Sequence, residues 1–354
     1  MIVIGADPHK RSHTLVAVAA ATGEQRSCET VASSTAGSDR ALGWARGLDS
    51  ERVWAVEDCR HVSGRLERFL VARGERVVRV PPKLMAGARK SARQPGKSDP
   101  IDALCVARAA LREGIDTLPS AHLDEQALEI RLLLDHHDHL VAHRSDEQRR
   151  LRWHLHDLFG ELDIPPGALD REVWLTRLSR RLGRQSSSAR VRIARELISS
   201  IRQATKRARA LERELHELVS DYAPQLLDEP GCGPLTAAKL VGEIAGAERF
   251  SSDAKLARAA GVAPVPVSSG RTDRVRLDRG GNRQLNCALH RLAVNKGRWD
   301  PASADYLARK QAEGKTRMEA LRCLKRHLAR RVWHLLNHPT PEKANGLDTA
   351  LALT

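Results

Sequence analysis

Aromatic residues make up only 3% of this 354-residue chain. That scarcity disfavours a single-strand binder that stacks successive bases on Phe, Tyr or Trp, so contact with nucleic acid should fall on phosphates. Long apolar runs are missing too. The apolar stretch near the start is Ile2 to Ala6, and none approaches the roughly 18 residues that a membrane helix needs, which predicts a protein neither exported nor membrane-bound. Cys28, Cys59, Cys105, Cys232, Cys287 and Cys323 form no CxxC pair, which excludes a zinc knuckle or disulfide framework and fits a reducing cytoplasm. Acidic charge is in deficit: 44 Asp and Glu face 59 Lys and Arg, a formal net charge of +15, as expected of a protein that meets a polyanion.

The length predicts two or three domains. Up to about Ile115, short β-type runs alternate with helical ones: IVIGAD, HTLVAVAA, a run near Glu24 to Ser33, VWAVED and RVVRV. The first three lie close enough for an antiparallel meander and the later ones are separated by helical sequence, an order that resembles a ribonuclease H-like α/β fold over residues 1–120. Residues 124–222 read as helical. One long helix is predicted from Asp124 toward Leu158, and a second carries Leu197, Ile201, Ala204, Ala208, Leu211, Leu215 and Leu218 at heptad spacing, suited to a coiled coil or to an antiparallel hairpin within the chain. A third, mostly helical unit is predicted over residues 223–336, and the aperiodic 337–354 reads as a disordered tail.

Four carboxylates draw attention in the first domain. Asp7 and Glu57 close strand runs, and alternation turns Asp58 away from Glu57. In Lys97-Ser98-Asp99-Pro100-Ile101-Asp102, Asp99 reads as an N-cap, Pro100 as the first helical residue and Asp102 as the third. Capping accounts for Asp99 but not for the strand-end acids. Hard oxygens at this density suit Mg²⁺ or Mn²⁺, which can clamp the oxygens of a phosphodiester. Beside them, the acid-free run to Lys97 offers Lys83, Arg89, Lys90, Arg93 and Lys97 to nucleic acid.

In the third unit, Pro230-Gly231-Cys232-Gly233-Pro234 has the look of a helix-hairpin-helix, whose backbone N–H groups, near Gly231 and Gly233, would meet a phosphate; a plain turn fits as well. Ser268-Ser269-Gly270 precedes Arg271, Arg274, Arg276 and Arg279, placing hydroxyls among cations, although such a tripeptide is ordinary loop chemistry. The histidines His136, His137, His139, His143, His154 and His156 spread around a helix with many arginines and read as a solvated or phosphate-facing surface. Lys315 to Arg331 reads as an amphipathic helix with Leu321, Leu324 and Leu328 inward.

Taken together, Asp7, Glu57, Asp99 and Asp102, Pro230-Gly231-Cys232-Gly233, Ser268-Ser269-Gly270 and Arg279-Gly280-Gly281-Asn282-Arg283-Gln284-Leu285 resemble the DEDD transposases of bacterial insertion sequences, relatives of Piv-type DNA invertases. Asp58-Cys59-Arg60 and the long segment from Glu161 to Ser188 depart from many relatives. The resemblance implies a RuvC-like catalytic domain with a metal-binding tetrad, and Ser269 falls on the family's nucleophile. It further implies a homo-oligomer, dimer or tetramer, that acts on donor and target DNA at the bacterial nucleoid, guided by a bridge RNA. A basic, aromatic-poor protein that delegates sequence reading to base pairing is consistent with this. A RuvC-like nuclease or junction resolvase using water, with Ser269 only touching phosphate, is the enzymatic alternative; a basic architectural protein is the non-enzymatic one.

Overall fold

The computed structural model describes residues 1–58, 60–82, 84–85, 98–267, 275–276, 278 and 280–338. Strands β1 (Ile2–Pro8), β2 (Ser12–Ala19) and β3 (Gln25–Ala32) form the expected antiparallel meander. After helix α1 (Thr35–Leu48), β4 (Arg52–Glu57) returns parallel to β1, and after α2 (Arg60–Val71), β5 (Val77–Val80) pairs parallel with β4. The sheet order is β3-β2-β1-β4-β5. Its central strands are apolar on both faces because both faces are covered. Val3, Val53 and Ala55 pack with Ala103, Val106 and Ala107 of α3 (Asp99–Glu113), whereas Ile4, Ala6, Trp54 and Val56 pack with Leu42 of α1 and Leu66 and Leu70 of α2.

Helix α3 begins one residue earlier than expected. Ser98 is the N-cap residue, without a side-chain capping bond, and Asp99 lies in the first turn with Asp102. Both acids then sit where the helix dipole favours negative charge, and Asp99 is left free of a capping role.

By its internal contacts the chain divides into Met1–Glu125 with Ile244–Thr354, and Gln126–Glu243. The second unit holds α4 (Glu125–Phe159), α5 (Glu172–Gly183), α6 (Ala189–Tyr222), the short α7 (Pro224–Leu227) and α8 (Pro234–Ile244). Residues 223–243, read above as the opening of the third domain, therefore lie with the helical unit. Leu197 and Ile201 of the heptad seam pack with Leu151 and Leu155 of α4 and Leu175, Leu178 and Leu182 of α5. The start of the seam is committed to a three-helix cluster, because α5, within the Glu161 to Ser188 segment, adds an apolar face that a two-helix seam has no need of. Among the described residues no histidine group of this helix gathers as metal ligands; His137 is buried.

In the first unit the chain continues through α9 (Asp253–Ala259), the two-residue strands β6 (Val265–Pro266) and β7 (Val275–Arg276), α10 (Arg283–Trp299), α11 (Pro301–Ala312) and α12 (Arg317–Asn337). Leu256, Leu285, Leu289, Leu292, Leu321, Leu324 and Leu328 are buried at helical spacing. Asn337 ends α12 rather than opening a tail, and residues 339–354 lie outside the described residues. No described helix is long and apolar enough to cross a membrane.

Candidate active site

Asp7 is the last residue but one of β1, and the parallel register pairs Ala6 with Val56, so Asp7 and Glu57 are the next residues on neighbouring strands. Alternation puts both on the sheet face that α3 covers, with Val3, Val53 and Ala55. What brings α3 close is Gly5. A Cβ there would overlap the carbonyl oxygen of Ala103 and lie 2.6 Å from the amide nitrogen of Ala107, so only glycine lets the helix backbone rest on the strand. Asp102 immediately precedes Ala103, and this packing delivers the first turn of α3 to the end of β1.

Asp7 and Asp102 are buried, Glu57 is half-buried and Asp99 is exposed. His9 Nε2 lies 3.1 Å from Asp7 Oδ2 and 3.5 Å from Asp99 Oδ1. Burial pushes the Asp7 carboxyl above its ordinary value; the His9 imidazole pulls it down, while the charges of Asp102 and Asp99 push it up again. Carboxylates crowded around a buried one repel each other, and a divalent cation relieves that repulsion. One ligand atom each from Asp7, His9 and Asp99 lies within 4.8 Å of the others. The donor set of Asp7, His9 and Asp99 therefore fits a hard divalent ion, with the Asp102 charge acting on Asp7 and Glu57 on the adjacent strand, and the imidazole nitrogen suits Mn²⁺ at least as well as Mg²⁺. His9 was not singled out in the sequence. Its signal was parity: it is two residues beyond Asp7 and so on the same side of the strand.

The serine and arginines singled out in the sequence flank the β6–β7 pair, in which Val265 pairs with Arg276 and Pro266 with Val275. Ser269, with Arg271, Arg274 and Arg279, lies outside the described residues, as do Lys83, Arg89, Lys90, Arg93 and Lys97. Arg276 is described, and exposed. The flanks of the hairpin are held together at Gly261 and Gly281. Gly261 has a φ of +64°, and a Cβ on Gly281 would lie 2.6 Å from the Ala260 carbonyl carbon. Asn282 then donates its backbone N–H to Ala259 O at 2.6 Å and caps α10, its side chain accepting from the Gln284 and Leu285 amides. Gly281-Asn282 is thus a clasp for the hairpin base. The other glycine motif forms a tight turn between α7 and α8: Gly231 has a φ of +81°, and the Cys232 N–H donates to Glu229 O.

Comparison with known proteins gives two family matches. A model of DEDD transposases matches residues 4–160, and one described as "Transposase IS116/IS110/IS902 family" matches residues 223–308. The chain belongs to the IS110/IS116 family of insertion-element transposases. A 44.8 kDa protein of insertion element IS116 from Streptomyces clavuligerus is 29% identical over 383 aligned positions, covering 95% of this chain and 94% of its own. A 42 kDa protein of IS900 from Mycobacterium paratuberculosis is 26% identical, over 83% of this chain and 86% of its own length. A 43.6 kDa protein of IS110 from Streptomyces coelicolor is 38% identical over 128 positions, 35% of this chain and 32% of its own. The first matched segment of this transposase-family chain contains the carboxylates and the second contains the β6–β7 pair, and membership implies a DNA-processing enzyme.

Proposed function

We propose that this transposase cuts and exchanges DNA strands through a covalent phosphoserine, using the Asp7, Glu57, Asp99 and Asp102 centre together with Ser269. The observation that carries the reading is the convergence of Asp7, Asp99 and Asp102 where β1 meets the start of α3, with Glu57 on the adjacent strand. The sheet order supports a ribonuclease H-like, RuvC-type domain behind it.

In the proposed reaction Ser269 Oγ forms a bond to the scissile phosphorus while the P–O bond to one strand breaks. The serine proton passes, in net, to the departing oxygen, leaving a strand-end hydroxyl and a serine phosphodiester. Attack by a hydroxyl from the other duplex reverses these bonds, so the bond energy is kept and no ATP is needed. Mg²⁺ or Mn²⁺, when bound by the carboxylates, supplies positive charge that stabilises the additional negative charge on the phosphoryl oxygens. Asp7 is held among like charges for that ion, and His9 orients it through the 3.1 Å contact.

Donor and target duplexes are the substrates in this reading, and a bridge RNA pairs with both. The +15 charge and the scarcity of aromatics support backbone contact with the sequence reading left to base pairing. A homo-oligomer working in the bacterial cytoplasm completes the proposal. Its test is to incubate the protein, with any RNA that co-purifies, with DNA carrying the element ends and Mg²⁺. A covalent protein–DNA adduct mapping to Ser269 is expected, and Ser269→Ala should lose it. Continued cutting by Ser269→Ala would instead make water the nucleophile, and sequencing of the bound RNA decides whether a guide is present.

A further inference from the structure

A groove of about 770 Å³ opens between the base of the β6–β7 hairpin and helices α11 and α12. Six cations line it, Arg276, Lys310, Lys315, Arg322, Lys325 and Arg326, against two carboxylates. The carboxylates are engaged already. Glu313 accepts from Lys310 at 3.1 Å and lies 3.7 Å from Lys315, and Glu319 closes the capping box of α12 with Thr316. Arg326 pairs with Asp253 at 3.2 Å. Arg276, Arg322 and Lys325 make no ion pair with any described residue.

Lys325 sets this groove apart from a solvated basic surface. The sequence places it off the apolar stripe of α12, yet it is only 7% exposed, and its ammonium donates 2.8 Å to a neutral oxygen, Asn286 Oδ1. A buried ammonium without a counter-charge is costly, and in functional sites such charges meet an anionic ligand. Burial, with Arg322 nearby, pushes Lys325 below its ordinary value, and burial together with Arg326, Arg330, Lys310 and Arg309 does the same to His327 in the same groove. With six cations against two carboxylates in its lining, the groove keeps an excess of positive charge. About 770 Å³ exceeds what a lone phosphate ion needs and falls within the range of pockets that take a nucleotide-sized ligand.

We propose that this groove binds a backbone phosphate of a nucleic-acid strand, with Lys325 and Arg322 as its principal cations. The proposal rests on the reading of the chain as a DNA-processing transposase and adds to it a strand-binding site at the foot of the hairpin. DNA and guide RNA carry the same phosphodiester, so both are probes.

The test uses the full-length protein and two variants. Lys325→Met keeps the apolar stem and removes the charge, and Arg322→Gln changes an exposed side chain whose loss leaves the fold intact. Binding of a labelled DNA duplex, a single-stranded RNA and inorganic phosphate is titrated across a salt series, with thermal melting as the fold control. Each variant is expected to weaken at least one strand by roughly tenfold and to lower the log–log salt slope for that strand by about one, the signature of one lost phosphate contact. Loss for DNA alone or RNA alone supports the proposal and identifies the strand. Unchanged strand affinity and slope in folded Arg322→Gln overturns it, as does weaker binding at an unchanged slope, or an effect confined to inorganic phosphate. Failure of the recombination reading looks different: the wild type would form no serine adduct while these slopes still fell.

Discussion

At Asp7, burial and neighbouring acids act in one direction, and both raise the carboxyl above its ordinary value. Removing its charge removes the repulsion, so the functional and structural effects of a substitution should separate. We expect Asp7→Asn, Glu57→Gln and Asp102→Asn to lower strand cleavage at least about a hundredfold, ~2.7 kcal/mol of transition-state stabilisation. Asp7→Asn should nevertheless melt no lower than the wild type in EDTA, measured by circular dichroism. Cleavage that survives EDTA would remove the divalent ion from the scheme. Gly5 tests how α3 reaches the site. Its Cβ would overlap the α3 backbone, so Gly5→Ala should cost about 1–3 kcal/mol by overpacking and, by displacing the turn that carries Asp99 and Asp102, abolish cleavage. Gly43→Ala on α1, where a Cβ meets nothing within 4 Å, should leave both unchanged or raise stability slightly. That Asp7 and Glu57 close strands was legible in the sequence because strand periodicity is local, whereas their shared face follows from the β1–β4 register. The contact of His9 with Asp99 was not legible, since ninety residues separate them and packing alone closes the distance.

At the scale of elements, the helical unit shows the same division. The long helix expected from Asp124 toward Leu158 is α4, Glu125–Phe159, since its apolar residues recur every three or four positions. Its polar partners needed the fold. The His137 ring lies 3.5 Å from Asp138 Oδ1, and the Lys239 ammonium lies 2.9 Å from Asp138 Oδ2; together they hold the Asp138 carboxyl at about 2 against the opposing effect of partial burial. A folded-state value below the unfolded one means that this contribution is complete above the ordinary aspartate range, near about 3.9, and is lost as pH falls toward about 2. Thermal melts of the wild type should therefore fall more steeply than those of Asp138→Asn between about pH 4 and 2. Curves that stay parallel would show that the His137 and Lys239 contacts add nothing. Asp138 is nearly half exposed, so the difference should be small.

For the whole molecule, the carboxylate centre and the β6–β7 hairpin stand far apart in the chain, with the helical unit inserted between them. Strand exchange has to hold two duplexes at once, and that need motivates the proposal that Ser269 of one subunit completes the carboxylate site of another. Asp102→Asn and Ser269→Ala proteins, each inactive alone, should regain cleavage when mixed under conditions that let subunits exchange, up to about a quarter of wild-type activity if subunits pair at random. An inactive mixture, with exchange verified by mass, rejects assembly across subunits.

The sequence by itself determined the sheet and helix periodicities, the excess of positive charge and the place of Asp7 and Glu57 at the ends of strand runs, because each follows from composition or from a repeat of two or 3.6 residues. Tertiary structure alone decided that α3 rests on Gly5, that His9 joins Asp7 and Asp99, that Gly281 clasps Gly261, that the start of the heptad seam packs with α4 and α5, and that Lys325 is buried. Each of these is a meeting of segments distant in the chain. Local pattern carries no information about which backbone comes near which, and close packing of the core is what sets those distances.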